Sequence, residues 1–168
     1  MSIGGPNMGV SGSPNCESGL FCDLIDYVID NVVYFSEIQD NVGPAGYYRD
    51  PADMDWFMNY SVFLPYLNNM KNTTDDIRIA MESLNAALFV MFSNDTMIYP
   101  KETAWFHELQ ADYATILPME QTSLYTQNLN GLKTLNEAGK LTFLEWPGAH
   151  LQFNEEQIKD VIVPFLLK

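Results

Sequence analysis

Two residues able to move protons stand just beyond two apolar runs. Asp95 follows Leu88-Phe89-Val90-Met91-Phe92, and His150 follows Leu141-Thr142-Phe143-Leu144-Glu145-Trp146. An Asp trailed about 55 residues later by a His, each at a strand end, matches the second and third members of a Ser…Asp…His triad in one of its known chain orders. In that role His150 would accept the nucleophile's proton and return it to the leaving group. Asp95 would fix the imidazole tautomer and stabilise the imidazolium. On spacing alone, an Asp and a His in loops are more often ordinary polar residues.

A nucleophile should precede both on a Gly-x-Ser-x-Gly elbow, whose glycines permit the strained strand-to-helix turn. The chain contains none: Gly9-Val10-Ser11-Gly12-Ser13 lacks the second glycine, which excludes Ser11. Cys16 and Cys22, six positions apart, lack the basic or helix-terminal setting of a reactive thiolate; a structural disulfide or two plain thiols are the alternatives. His107 reads as an exposed helix residue, and two histidines so placed make no metal motif. No metal or other cofactor is expected. Asp50, Asp53 and Asp55 lack the glycine and terminal glutamate of a calcium loop and read as a solvated helix start. Asn59, Asn72 and Asn94 each begin an Asn-x-Ser/Thr sequon, a secretory feature. The dense segment containing Trp56, Phe57, Phe63 and Leu64 is either core or the wall of a lipid-binding groove.

The elements that must position Asp95 and His150 follow from pattern. Leu88–Phe92 is a continuous apolar run of the kind buried on both faces of a parallel sheet. Thr74 with Asp75 and Asp76 starts a helix ahead of it, running to about Leu84. Gly131 to Glu137 is a helix closed by Gly139, Leu141–Trp146 a strand, and Asn154-Glu155-Glu156 the cap of a last helix with Pro164 near its end. Upstream, Leu24, Ile25, Val28, Val32, Val33, Phe35 and Ile38 predict an amphipathic helix from Asp23, and short helices fill Trp56 to Leu67. Residues 3 to 19 are loop, with a short strand end at Ile3. Helix, buried strand and polar loop, repeated, is doubly wound α/β organisation, with working residues past the strand C-termini. A sheet of two such strands cannot bury its own edges, which argues for sequence beyond this chain.

Composition sets the outer bounds. The 168 residues carry 22 acidic against 8 basic side chains, a net charge of -14 and 13% aromatics. Such a chain has core enough to fold as one ordinary domain or a piece of one, and its charge disfavours nucleic acid and anionic membrane faces as partners. No apolar run approaches the roughly 20 residues of a transmembrane helix. Met1 to Asn7 has neither the basic nor the apolar region of a signal peptide.

Particular residues carry a family likeness. Gly4-Gly5 with Gly9-Val10, the Cys16 and Cys22 pair, Asp50-Pro51, Asn59-Tyr60-Ser61, Asn94-Asp95-Thr96, Trp105-Phe106, Glu120 to Gln127, Gly131-Leu132-Lys133 and His150-Leu151-Gln152 together resemble the C-terminal part of the lysosomal palmitoyl-protein thioesterases, type 1. The resemblance implies the C-terminal portion of an α/β-hydrolase fold, with residues from about 10 to 85 as an inserted helical lid and about 86 to 168 as the C-terminal sheet and helix. It implies cleavage of long-chain acyl thioesters from S-acylated proteins, with Asp95 and His150 matching the family's catalytic Asp and His. It further implies a Cys16–Cys22 disulfide, an acyl groove drawing on Trp56, Phe57, Phe63 and Leu64, and a lysosomal or secreted location. Ala149 stands where the family motif usually carries Asp, and Pro6-Asn7-Met8 replaces a more polar loop. The family's half with the nucleophile has no counterpart here, so this chain alone is expected to be inactive. Two alternatives keep the fold without the activity: a catalytically dead binder of acyl chains or protein, and a secreted acidic interaction module.

Overall fold

The longest buried run among the described residues becomes the centre of a sheet. In chain order the strands are β1 (Ser2–Ile3), β2 (Ala87–Phe92), β3 (Glu108–Leu109), β4 (Ile116–Leu117) and β5 (Leu141–Trp146). The structure, a computed structural model, describes residues 1–12, 32–71 and 73–167. Among these, β1, β2 and β5 form a parallel sheet in the order β1-β2-β5, and every residue of β2 is buried. Side chains alternate across a strand, so β2 feeds two cores. Ala87 and Phe89 pack with Phe106, Met119, Leu124 and Leu132 on one face. Leu88, Val90 and Phe92 pack with Trp146 on the other, beneath Val161, Ile162 and Phe165 of the last helix. Cover on both faces is what an all-parallel sheet requires.

Register then decides where the loops emerge. Phe92 pairs with Trp146, and Ser93 N–H donates to the Trp146 carbonyl at 2.9 Å, so β2 and β5 end at one level. Ile3 pairs with Val90, and Gly4 N–H donates to the Val90 carbonyl at 2.8 Å. The loops after all three strands therefore meet on one edge, where the site lies.

The final helical segment opens with Asn154 and Gln157 in a reciprocal cap, each side chain accepting from the other's backbone N–H. It continues through a widened π turn, Ile158–Ile162, to Val163–Leu166. Pro164 cannot donate back to the carbonyl four residues earlier, and the helical ladder adjusts just ahead of it. The Asp75–Glu82 helix starts where expected, but the Thr74 hydroxyl makes no capping bond; Asn69 accepts the Thr74 N–H instead, at 2.7 Å. The helices Met54–Tyr60 and Leu64–Leu67 fill the dense aromatic segment, with Asp53 capping the first of them through Trp56 N–H.

Two expectations need correction. The helix anticipated from Asp23 to Ile38 lies outside the described residues up to position 31, and beyond it the chain is not one helix. Phe35 is extended (φ -72°, ψ 142°) and only Ser36–Gln39 is helical. The cause is tertiary: Val33 and Tyr34 turn into a core with Phe57 and Leu64, and the Gln39 amide donates to the carbonyls of Val33 and Ala45. Side-chain bonds to backbone of this kind compete with helix. Second, His107 is not on an exposed helix. It is half-buried beside Trp105, between the 3-10 turn Lys101–Trp105 and β3.

Candidate active site

Asp95 and His150, separated by 55 positions in sequence, meet at 2.7 Å between Oδ2 and Nδ1. Each partner is fixed by its own loop. Asp95 Oδ1 accepts the backbone N–H groups of Met97 and Ile98, both at 3.0 Å, so the second oxygen is left to face the imidazole. The Asp95 side chain is 3% exposed and that of His150 17%, dry enough to strengthen the pair and open enough for the ring to be reached. Asn94 N–H donates to the Gly148 carbonyl at 3.0 Å, tying the two loops together. Lys101 donates to the Ser93 carbonyl at 2.6 Å and braces the same turn.

The ring rests on β1 and β2. Phe92 meets it edge to face, 6.5 Å between centroids. Below it lies Gly4, at φ +63°, where a Cβ would stand 3.2 Å from His150 Cε1 and 3.2 Å from Phe92 Cε2. Both the left-handed backbone and the crowding favour glycine there. A neutral imidazole that donates Nδ1–H to Asp95 carries its lone pair on Nε2, the arrangement of a general base.

Beside this pair lies an apolar cavity of about 610 Å³, lined by Pro6, Val10, Tyr47, Val62, Phe63 and Ile98 among others. One residue links it to the dyad: Ile98 lines the cavity and its N–H is bound to Asp95. Its volume falls within the roughly 300–1,000 Å³ range of small-ligand clefts. Of the four groove candidates, Phe63 lines the cavity, beside Tyr47 at 4.9 Å. Phe57 and Leu64 belong to the core instead, 0% and 1% exposed. Trp56 is exposed, packs tilted against Tyr60 and is not among the residues that line the cavity. Asn59 and Asn94 are exposed; Cys16, Cys22 and Asn72 lie outside the described residues. Ser11 is held by its backbone, its N–H donating to the Tyr99 carbonyl.

The profile of the palmitoyl protein thioesterases matches residues 1–150. The chain belongs to that family. It is 33% identical over 170 residues to palmitoyl-protein thioesterase 1 of Caenorhabditis elegans, covering 99% of this chain and 57% of the relative. To palmitoyl-protein thioesterase 3 of Dictyostelium discoideum it is 30% identical, covering 98% of this chain and 55% of the relative. The lysosomal thioesterase PPT2 homolog of Drosophila melanogaster is 29% identical, over 80% of this chain and 48% of its own length. The chain thus spans about half the length of the curated relatives it matches. No helix among the described residues is long and apolar enough to cross a membrane.

Sequence reasoning missed one buried charged group, and it is structural. Arg49, 3% exposed, reaches Glu108 of β3 at 2.7 Å and lies over the Phe57 ring at 5.9 Å. The neighbouring Asp50 accepts from the Tyr113 hydroxyl. Together they clamp the segment before Pro51 onto the β3–β4 hairpin. An arginine directly after Tyr47-Tyr48 and before Asp50-Pro51 is the available signal.

Proposed function

We propose that this chain supplies the Asp and His of a Ser-Asp-His thioesterase that removes long acyl groups from S-acylated proteins. The observation that carries this reading is the Asp95–His150 pair at 2.7 Å, on loops after neighbouring parallel strands. In the proposed reaction His150 Nε2 takes the proton of a serine hydroxyl as its oxygen attacks the thioester carbonyl. The acyl–sulfur bond breaks, and the same proton passes to the departing cysteine thiolate. Water then repeats the sequence, with His150 as base, and releases the fatty acid. The serine and its oxyanion donors belong to the part of the relatives' length that this chain does not span.

The cavity at Phe63 is proposed to receive the acyl chain, and residues from about 10 to 85 to form a lid around it. A lysosomal or secreted location, glycosylation at Asn59, Asn72 and Asn94, and a Cys16–Cys22 bridge accompany the same proposal; the names of the relatives support the first. The test is hydrolysis of an S-palmitoyl peptide by this chain joined to an upstream segment carrying Gly-x-Ser-x-Gly. Turnover is expected from the joined protein, and none above background from the 168-residue chain alone or from His150→Ala. Turnover that survives His150→Ala would overturn the assignment.

A further inference from the structure

We propose that Gln152 is a positioning residue for His150. The inference rests on the reading of His150 as the base and adds the device that holds it.

His150 sits in a loop with no regular structure, between Gly148 and Gln152, and that loop is closed on itself by two reciprocal bonds. Gln152 N–H donates to the Ala149 carbonyl at 2.9 Å, while the Gln152 side-chain Oε1 accepts the Ala149 N–H at 2.9 Å. Leu151 inside this ring is forced to φ +57°, a left-handed conformation that costs an ordinary side chain energy. The ring therefore stores strain that its two bonds must hold. Gly148 is shaped to admit the glutamine. At φ +117°, a Cβ there would stand 3.0 Å from Gln152 Oε1 and 3.2 Å from the Gln152 carbonyl. Gly148 is also the residue whose carbonyl takes Asn94 N–H from the Asp95 loop. One exposed amide thus closes the loop that presents the imidazole, at the point where that loop is tied to Asp95. Gln152 is not one of the residues that line the cavity.

The decisive measurement is ¹⁵N-imidazole NMR on the 168-residue chain, which has two histidines; His107 serves as the internal reference and His107→Gln assigns the signals. His150 is expected as the Nδ1–H tautomer with a slowly exchanging proton, because Nδ1 faces Asp95 Oδ2 at 2.7 Å. Gln152→Ala should speed exchange of that proton by about fivefold, the equivalent of one ordinary hydrogen bond, and mix the tautomers. Gln152→Glu, which keeps an acceptor at the same reach, should restore the wild-type signals. If Gln152→Ala also shifts His107, the shorter Gln152→Asn carries the same comparison. In the joined protein, Gln152→Ala should lower kcat by about a hundredfold with KM unchanged, the order expected of a misplaced base. An unmoved His150 signal in Gln152→Ala, or failure of Gln152→Glu to restore it, overturns the proposal. A His150 that responds in the chain while the joined protein shows no turnover upholds the positioning role and rejects the hydrolase reading.

Discussion

Replacing Asp95 by Asn tests the dyad more sharply than deleting it, because the structure dictates which way the amide must point. Oδ1 accepts two backbone N–H groups, from Met97 and Ile98, at 3.0 Å each. Only the amide oxygen can take that place, so the NH₂ group faces His150 Nδ1, where Oδ2 stood at 2.7 Å. Two donors cannot face each other. His150 must then move its proton to Nε2, the atom that the reaction needs as base. The flipped amide would rescue the tautomer but leave two N–H groups unmet, at about 1–3 kcal/mol for a buried one and less for the exposed Met97. A preference of about 2–4 kcal/mol for the wrong tautomer follows, or about thirtyfold to a thousandfold in rate. Loss of the charge that steadies the imidazolium extends this toward the ten-thousandfold seen for the same change in a serine protease. The assay is kcat on an S-palmitoyl peptide in the joined protein, with KM as the control. A fall of less than about tenfold would refute the reasoning.

Glu108→Gln should cost the chain about 3 kcal/mol in urea unfolding, because it leaves the buried Arg49 charge unpaired; a loss under about 1 kcal/mol would count against the clamp. Phe63→Asn should penalise long acyl thioesters more than short ones, since each methylene removed from water contributes about 0.8 kcal/mol and Phe63 lines the cavity; equal losses across chain lengths would reject the groove. Acid should weaken the fold through His107, whose pKa is lowered by burial against the smaller opposing pull of Glu120 and Glu102. With the folded value below the unfolded one, near 6.5, stability falls as pH drops below that point, and His107→Gln should flatten the fall in Tm between about pH 7.5 and about pH 5. At lower pH Asp112 adds a second loss: the Thr115 hydroxyl, then the Thr115 and Ala114 N–H groups, hold its carboxyl at about 2, so its contribution is present above the ordinary value near 4 and disappears as pH falls toward 2. Asp112→Asn should remove that lowest step from the Tm profile.

What could be read from the sequence was whatever a single element decides for itself. The apolar run of β2, the short apolar-rich segment of β5, the acidic start of the Asp75–Glu82 helix and the Asn154 cap each carry their own local reason, and each stands in the structure near its anticipated bounds. Elements decided by partners were not legible. The β3–β4 hairpin pairs two residues with two, too few for alternation to register. The helix anticipated through Val33 gives way because Tyr34 is more valuable to the core, where its hydroxyl accepts Asp50 N–H at 3.0 Å. His107 sits at a junction that neither neighbouring element announces.

The site shows the same division one level up. Asp95 and His150 were conspicuous by type and by place after strands, but their 2.7 Å contact is a property of register. That register is set by apolar packing on both faces of the sheet. Phe89 stacks on Phe143 at 5.7 Å on one side, while Phe92 meets Trp146 at 6.1 Å on the other. A slip of one residue between β2 and β5 would turn every one of these side chains to the opposite face, and would carry the Asp95 loop about 3.3 Å along the sheet from the His150 loop. No hydrogen bond spans such a gap. The core that the hydrophobic pattern specifies is therefore also the ruler that sets the distance between the two polar residues. The parts that pattern could not reveal, Gly4 beneath the ring and Gln152 closing its loop, are those that aim the imidazole once that distance has been fixed.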